Sequence, residues 1–268
     1  MIKYSIIIPT FDRKDYLVSS VESFVDFSFD DDAYELIIVD DFSSDNTFEI
    51  ISIKYADLLL TGKVKIIRLT SNLGPIAARN AGALVSSGYW IGFMDSDNRI
   101  LKSNKYQFEE VLDSTVYPLV LFRCVDEDGQ LLGDFEYKAI WTCNELINIG
   151  LPECFGLIKR ELFLFGYNSP ENEKLRRFEA LGFYRIMRKC ESLYLSNIKM
   201  REYSFSAPNR LSSREGTIKD AHLMLRGNLM LIYENYKLMN FKVLTVNILK
   251  IIYYAFYAFR NFVGRGFR

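Results

Sequence analysis

Short runs of β-branched and aliphatic residues recur four times in the first hundred residues, each followed by an amphipathic stretch. No other feature restricts the fold as much, because repeated strand–helix units of this kind pack around a mostly parallel sheet. The strands are read at Tyr4 to Ile8, Glu35 to Val39, Val64 to Leu69 and Trp90 to Met94. Helices fit at about Arg13–Phe27, Asp45–Tyr55 and Pro75–Val85, the last with Pro75 in its first turn. Ile6-Ile7-Ile8 and Leu36-Ile37-Ile38-Val39 are apolar without interruption, the pattern of strands covered on both faces. The expected fold class is therefore α/β, an open sandwich with a mostly parallel central sheet.

After Lys102 the alternation weakens. A helix is expected around Asn104–Leu112, a strand at Leu119–Val125 and a turn at Asp126-Glu127-Asp128-Gly129. Residues 130–215 mix aromatic, Gly/Pro and charged segments, as loops shaping a second substrate's site would. From about residue 217 the pattern is helical to the end, so a domain over 1–216 with a helical extension over 217–268 is expected.

The 268 residues are 49% hydrophobic, enough for a full core, and the formal net charge is −1. A chain without a global basic field is not expected to hold nucleic acid by phosphate neutralisation. Cys124, Cys143, Cys154 and Cys190 are widely spaced and form no CxxC pair, and His222 is the single histidine. Packed, reduced thiols are expected, together with a cytoplasmic location, since the sequence opens on a strand pattern rather than on a signal peptide.

In open α/β sheets ligands bind beyond the carboxyl ends of the strands, and three such ends here are distinctive. They are Pro9-Thr10-Phe11-Asp12-Arg13, Asp40-Asp41-Phe42-Ser43-Ser44-Asp45 and Asp95-Ser96-Asp97-Asn98. The spacing of Asp95 and Asp97 would let both carboxylates converge on one hard divalent ion that keeps positions open for phosphate oxygens; a solvated acidic turn is the plain alternative. Four acids at two strand ends lack basic sequence neighbours, which implies mutual repulsion unless a cation or ligand donor is present. Asp40 and Asp41 could accept from a base N–H or ribose hydroxyls, or serve as caps, and Asp45 reads as structural. Small residues in the Leu73 to Gly82 segment allow its helix to approach the sheet closely, with Arg79 positioned to bridge a diphosphate or to hold the acidic strand ends.

Taken together, Ser5-Ile6-Ile7-Ile8-Pro9-Thr10, Val39-Asp40-Asp41-Phe42-Ser43-Ser44-Asp45-Asn46-Thr47, Asn72-Leu73-Gly74 with Ala78-Arg79-Asn80-Ala81-Gly82, and Asp95-Ser96-Asp97 resemble the family-2 glycosyltransferases of GT-A fold. The resemblance covers residues 3–100 closely and about 100–215 loosely. It implies an inverting transferase that uses Mn²⁺ or Mg²⁺, with a nucleotide-sugar donor and a glycan or lipid-linked saccharide acceptor in surface polysaccharide synthesis. On this sequence, Pro9, Thr10 and Asp41 would hold the base with Asp40 nearby. Arg79 and Asp95 would hold the ribose and diphosphate region, and Asp97, with Asp95, the metal. The sequence departs from the pattern at Asn98, where a further acid is frequent, and at Ser206–Ser213, where the family's His is missing and Arg210 is a candidate substitute.

Inversion by direct displacement needs a carboxylate to take the acceptor's proton. The resemblance places it at Glu179, because the family's usual Asp is replaced by Ala180; Glu171 and Glu173 are alternatives. A helix-dipole contact or a salt bridge to Arg176 or Arg177 is the structural reading of Glu179. A degenerate, non-catalytic binding subunit and a sugar-phosphate nucleotidyltransferase remain as other functions; the latter is disfavoured because Pro9 to Asp15 holds no glycine. Beyond Asn235 the chain has no acid, while six Lys or Arg are interspersed with Tyr and Phe. Asn247, Lys250, Tyr254, Tyr257 and Asn261 form a polar line that leaves an apolar face of Leu244, Ile248, Ile251, Ile252, Ala255, Phe259 and Phe262. Association with the inner-membrane surface is expected, with lying on it favoured over crossing because the uninterrupted apolar run Ile251–Phe259 is short.

Overall fold

The computed structural model describes residues 2–28, 32–133, 136–150, 153–166, 170–176, 178–204 and 214–266. The first half follows the expected alternation: β1 (Tyr4–Thr10), α1 (Lys14–Ser28), β2 (Tyr34–Asp40), α2 (Thr47–Lys54), α3 (Ala56–Leu60), β3 (Val64–Arg68), α4 (Pro75–Val85) and β4 (Trp90–Phe93). There follow β5 (Arg99–Ile100), α5 (Lys105–Ser114), β6 (Leu119–Val125), β7 (Ile140–Thr142), α6 (Cys143–Ile149), β8 (Cys154–Lys159), α7 (Arg160–Gly166), α8 (Pro170–Glu173), α9 (Glu179–Cys190) and β9 (Ser192–Glu202). The chain ends in α10 (Arg214–Lys219), α11 (Ala221–Asn235) and α12 (Phe241–Gly266).

The sheet runs β3-β2-β1-β4-β8-β6-β9-β5, with β7 beside β9. β1 to β4 pair in parallel, β8 is inserted antiparallel between β4 and β6, and β6 pairs β9 in parallel. A mostly parallel sheet results. Alternation along β1 divides the core, as period-two geometry requires. Ile6 and Ile8 pack with Leu17, Val21 and Phe24 of α1 and Phe108 of α5. Ile7 faces the other layer with Ile37, Val39 and Ile76, Ala78 and Ala83 of α4. Gly82 permits that second contact: a Cβ there would lie 2.5 Å from Ile7 Cγ2.

At the amino ends of the strands, away from the cleft described below, the buried Glu35 carboxylate gathers three donors. The Ser5 hydroxyl donates at 2.6 Å, Lys65 Nζ at 2.6 Å and the Ser87 amide at 2.5 Å. Burial works to raise this carboxyl, but Lys65, Ser5 and Ser87 outweigh it and hold it below the ordinary range. Glu35→Ala is expected to cost about 3 kcal/mol by leaving these donors unpaired, measured by urea denaturation at neutral pH. Because the folded-state carboxyl is depressed, its stabilisation is present above the ordinary Glu value of 4.5 and is lost as pH falls through the folded one. The difference between variant and parent should therefore shrink in acid.

Candidate active site

The carboxyl ends of β1, β2 and β4 open into a cleft of about 1590 Å³, roomy enough for two substrates. Its lining includes Pro9, Thr10, Asp41, Arg79, Asp95, Asp97, Glu153, Arg176, Glu179 and Arg201. The first two strand ends are stitched together: Ser43 Oγ accepts from the Asp12 amide at 2.9 Å, and Asp12 Oδ1 accepts from the Ser44 amide at 2.7 Å. Asp45 accepts from the Thr47 amide at 3.1 Å and the Lys14 amide at 3.2 Å, so it secures the starts of α2 and α1 together. Thr10 Oγ1 is buried beside the cleft and has no hydrogen-bond partner among the described residues.

The paired aspartates at the end of β2 take different positions. Asp40 is fully buried, accepts from the Ser43 amide at 3.2 Å and lies 3.4 Å from Arg68 Nε. It is absent from the cleft lining, and burial raises its carboxyl against those two partners. Asp41 does face the cleft, and both its oxygens are engaged at 2.7 Å by the amides of Leu73 and Gly74. Gly74 has φ of +95°, a conformation that favours glycine, and Asp41 thereby fixes the turn entering α4. Arg176 closes the same turn from outside, donating to Asn72 O at 3.1 Å and packing on Gly74.

Arg79, projecting from α4, joins two acids. Its Nη2 donates to Asp95 Oδ1 at 2.8 Å, its Nη1 pairs with Glu179, and the guanidinium lies 5.7 Å from the centre of the Phe93 ring. Glu179 thus pairs with Arg79, an alternative to the expected Arg176 or Arg177. It is the first residue of α9. Asp95 also faces Arg201, a 4%-exposed guanidinium on β9 that pairs with Glu153. Burial works to raise Asp95, but Arg79 and Arg201 prevail and keep it below the usual carboxylate range. Repulsion was expected among these acids unless donors or cations met them, and tertiary partners do so for three: Asp40 meets Arg68, Asp41 meets two amides, and Asp95 meets Arg79.

The acidic turn itself is positioned by α1, whose Ser20 hydroxyl donates to Ser96 O at 2.9 Å. Asn98, where a further acid was the comparison, is fully buried and accepts from the Ser204 amide at 3.3 Å, tying the turn to the end of β9. Glu173 accepts from Asn80 Nδ2 at 2.7 Å, and neither it nor Glu171 lines the cleft. The Ser206–Ser213 loop with Arg210 lies outside the described residues. Arg176, Glu153 and Arg201 were not singled out as site residues from sequence; the one local signal was a lone Arg within a strand of apolar alternation.

Among the described residues no group of three or more His, Cys, Asp or Glu side chains gathers around a single point. Asp95 and Asp97 supply hard carboxylate oxygens at the cleft wall, a donor set that fits Mg²⁺ or Mn²⁺ if phosphate oxygens and water complete the shell.

The helical extension forms part of this cleft, since Gly216, Thr217, Lys219 and Met224 line it. Arg185 and Arg188 of α9 grip Glu234 of α11, at 2.6 and 2.8 Å. Phe178, immediately before Glu179, packs on Gly227: a Cβ there would lie 2.7 Å from Phe178 Cδ2. Gly227→Ala is expected to cost about 1–3 kcal/mol through overpacking and to displace Phe178. Turnover should fall while the far-ultraviolet circular dichroism remains that of the parent.

The architecture, a curled and mostly parallel sheet with a large cleft at its carboxyl edge, is that of the GT-A-like α/β proteins. It superposes on the crystal structure of S. aureus TarS 1-349 in complex with UDP at a TM-score of 0.65 and 19% identity, covering 86% of this chain and 66% of that one. The complex of the same protein with UDP-GlcNAc matches at a TM-score of 0.65 and 18% identity, covering 86% and 67%. The sequence profile of glycosyl transferase family 2 matches residues 5–148, and the chain belongs to that family. Glycosyltransferase GlyG of Streptococcus pneumoniae is 32% identical over 220 residues, covering 71% of this chain and 69% of GlyG. The putative teichuronic acid biosynthesis glycosyltransferase TuaG of Bacillus subtilis is 29% identical over 133 residues, covering 49% and 51%. The poly(ribitol-phosphate) beta-N-acetylglucosaminyltransferase TarS of Staphylococcus aureus is 28% identical over 131 residues, covering 48% of this chain and 22% of TarS. The chain spans between about a fifth and about half the length of the first of these curated relatives.

Proposed function

We propose that the chain is a metal-dependent, inverting glycosyltransferase that moves a sugar from a nucleoside-diphosphate sugar to an acceptor hydroxyl in surface-polysaccharide synthesis. One observation carries the reading: Arg79 joins Asp95 to Glu179 in a cleft at the carboxyl edge of the sheet that Asp97 also lines. The names of two relatives, TuaG in teichuronic acid biosynthesis and TarS as a poly(ribitol-phosphate) beta-N-acetylglucosaminyltransferase, support the setting. The UDP and UDP-GlcNAc complexes of the fold neighbour support the donor class.

In this reading the unsatisfied Thr10 hydroxyl, the Pro9 backbone and Asp41 receive the base, and Arg79 turns toward the diphosphate. Asp97, with Asp95, would hold Mn²⁺ or Mg²⁺, which supplies neutralisation of charge developing on the leaving diphosphate. Glu179 takes the acceptor hydroxyl's proton as its oxygen bonds to the anomeric carbon. The bond from that carbon to the diphosphate oxygen breaks, and the nucleoside diphosphate leaves with the electron pair. Arg79 orients Glu179 before the donor arrives. The acceptor is a glycan or lipid-linked saccharide, and the four free thiols together with a nucleotide-sugar donor support action in the cytoplasm.

Ala180, together with the Glu179–Arg79 pairing, favours one second reading, a binding subunit that has lost transfer. The deciding experiment screens UDP-, dTDP- and GDP-sugars for thermal stabilisation and sugar release, with and without Mn²⁺. Stabilisation and release support the transferase, stabilisation without release supports the binding subunit, and no stabilisation by any donor removes both.

A further inference from the structure

Helix α12 turns its two faces in an order that the sequence pattern leaves open. Three members of the polar line face inward: Asn247 is 5% exposed, Asn261 Nδ2 donates to Ile218 O at 2.8 Å, and Tyr254 pairs with the Thr217 hydroxyl, while Lys250 stays exposed. Leu244, Ile251 and Ala255, expected on the apolar face, are half-buried. Outward stand Ile248, Leu249, Ile252, Phe256, Phe259 and Phe262, between 45% and 78% exposed. A continuous aromatic and aliphatic stripe of this kind is costly to leave in water.

From this we propose that the outer face of α12 docks in the plane of an anionic lipid bilayer. Charge complementarity selects that occupant. Lys242, Lys250 and Arg260 flank the stripe as exposed cations, and no acid follows Asn235 in a chain whose formal net charge is −1. A second copy would bring two faces of like charge together. Crossing is not excluded by length, which corrects the sequence-based argument, because Phe241–Val263 is long and apolar enough to span. Packing and charge argue against it instead. A spanning α12 would have to leave α10 and α11 and carry Asn247, Lys250 and Arg260 into hydrocarbon.

Docking in this plane has a geometric consequence. Thr217 touches α12 and also lines the cleft, so the cleft wall sits directly on the docked helix. A lipid-borne acceptor would meet the cleft without leaving the bilayer, a corollary that rests on the transferase reading, whereas docking itself does not.

The test is co-sedimentation of the full chain with phosphatidylcholine vesicles, with and without phosphatidylglycerol. Binding is expected only to the anionic vesicles and should weaken as salt rises. The triple variant Ile252→Ser, Phe256→Ser, Phe259→Ser should bind at least about tenfold more weakly. The variant Lys250→Glu, Arg260→Glu should lose the anionic preference. All five positions are exposed, and an unchanged Tm confirms that each variant is folded. Undiminished binding by the triple variant would overturn the proposal. So would resistance of the bound protein to alkaline carbonate, which indicates crossing, or a concentration-dependent dimer that ignores vesicles. Nucleotide-sugar turnover enters none of these readouts, so the transferase reading stands or falls separately.

Discussion

Replacing Glu179 by Gln is expected to lower kcat by about 10²–10⁴-fold, the range for general-base catalysis, with the donor's dissociation constant unchanged. The amide keeps the size of the carboxylate and can still accept from Arg79, but it cannot take a proton. Its side chain is 41% exposed, so the lost ion pair should change stability by at most about 1 kcal/mol. The result separates catalysis from folding. Arg79→Lys provides the complementary measurement. A point charge cannot reach Asp95 and Glu179 together as the guanidinium fork does, so the variant should both raise the donor KM and lower kcat. If Glu179→Gln turns over normally while Glu153→Gln is inactive, the base is the carboxylate held by Arg201 on the other wall of the cleft. Glu171→Gln and Glu173→Gln complete the set, and an inactive variant of either with normal Glu179→Gln turnover would move the base to α8.

Asp97→Asn is expected to remove metal-dependent donor binding and to reduce kcat/KM by about 10³-fold, equivalent to several kcal/mol of charge stabilisation in the transition state. Isothermal titration of the nucleotide with and without Mn²⁺ checks it. The parent should bind more tightly with the metal, and the variant should bind equally with and without. The fold should be retained, because the Ser20 hydroxyl holds this turn through the Ser96 and Asn98 carbonyls and Asn98 links it to the Ser204 amide. Retention of the parent's metal dependence in Asp97→Asn would take Asp97 out of the site. Asp95→Asn answers a different question. Asp95 is the ion-pair partner of the buried Arg79 and faces Arg201, which Glu153 pairs, so its replacement is expected to lower Tm as well as activity.

By itself the sequence determined the β1 to β4 strands, the α1, α2 and α4 helices between them, the β6 strand, and the acidic residues that end two of those strands. Each of these follows from information local to a few residues: an uninterrupted β-branched run, a Pro at a helix start, or an acid just beyond a strand. Only the tertiary structure decided how the acids are satisfied. Asp95 and Arg79, Glu179 and Arg79, and Glu153 and Arg201 are brought together by the packing of α4, α9 and β9 against one sheet edge. No periodicity encodes which guanidinium reaches which carboxylate. The same holds for Asp40 and Asp41, neighbours in sequence that the turn after β2 separates, one into the core against Arg68 and the other toward the cleft. Asn98 shows the converse, a residue legible only as a missing acid that serves as a buried link to Ser204. For α12 the sequence established an amphipathic stripe but not which side faces inward. Asn and Tyr side chains can be solvated or can bond to a neighbouring helix, and it was the Ile218 carbonyl and the Thr217 hydroxyl that turned them in and left the phenylalanines outside.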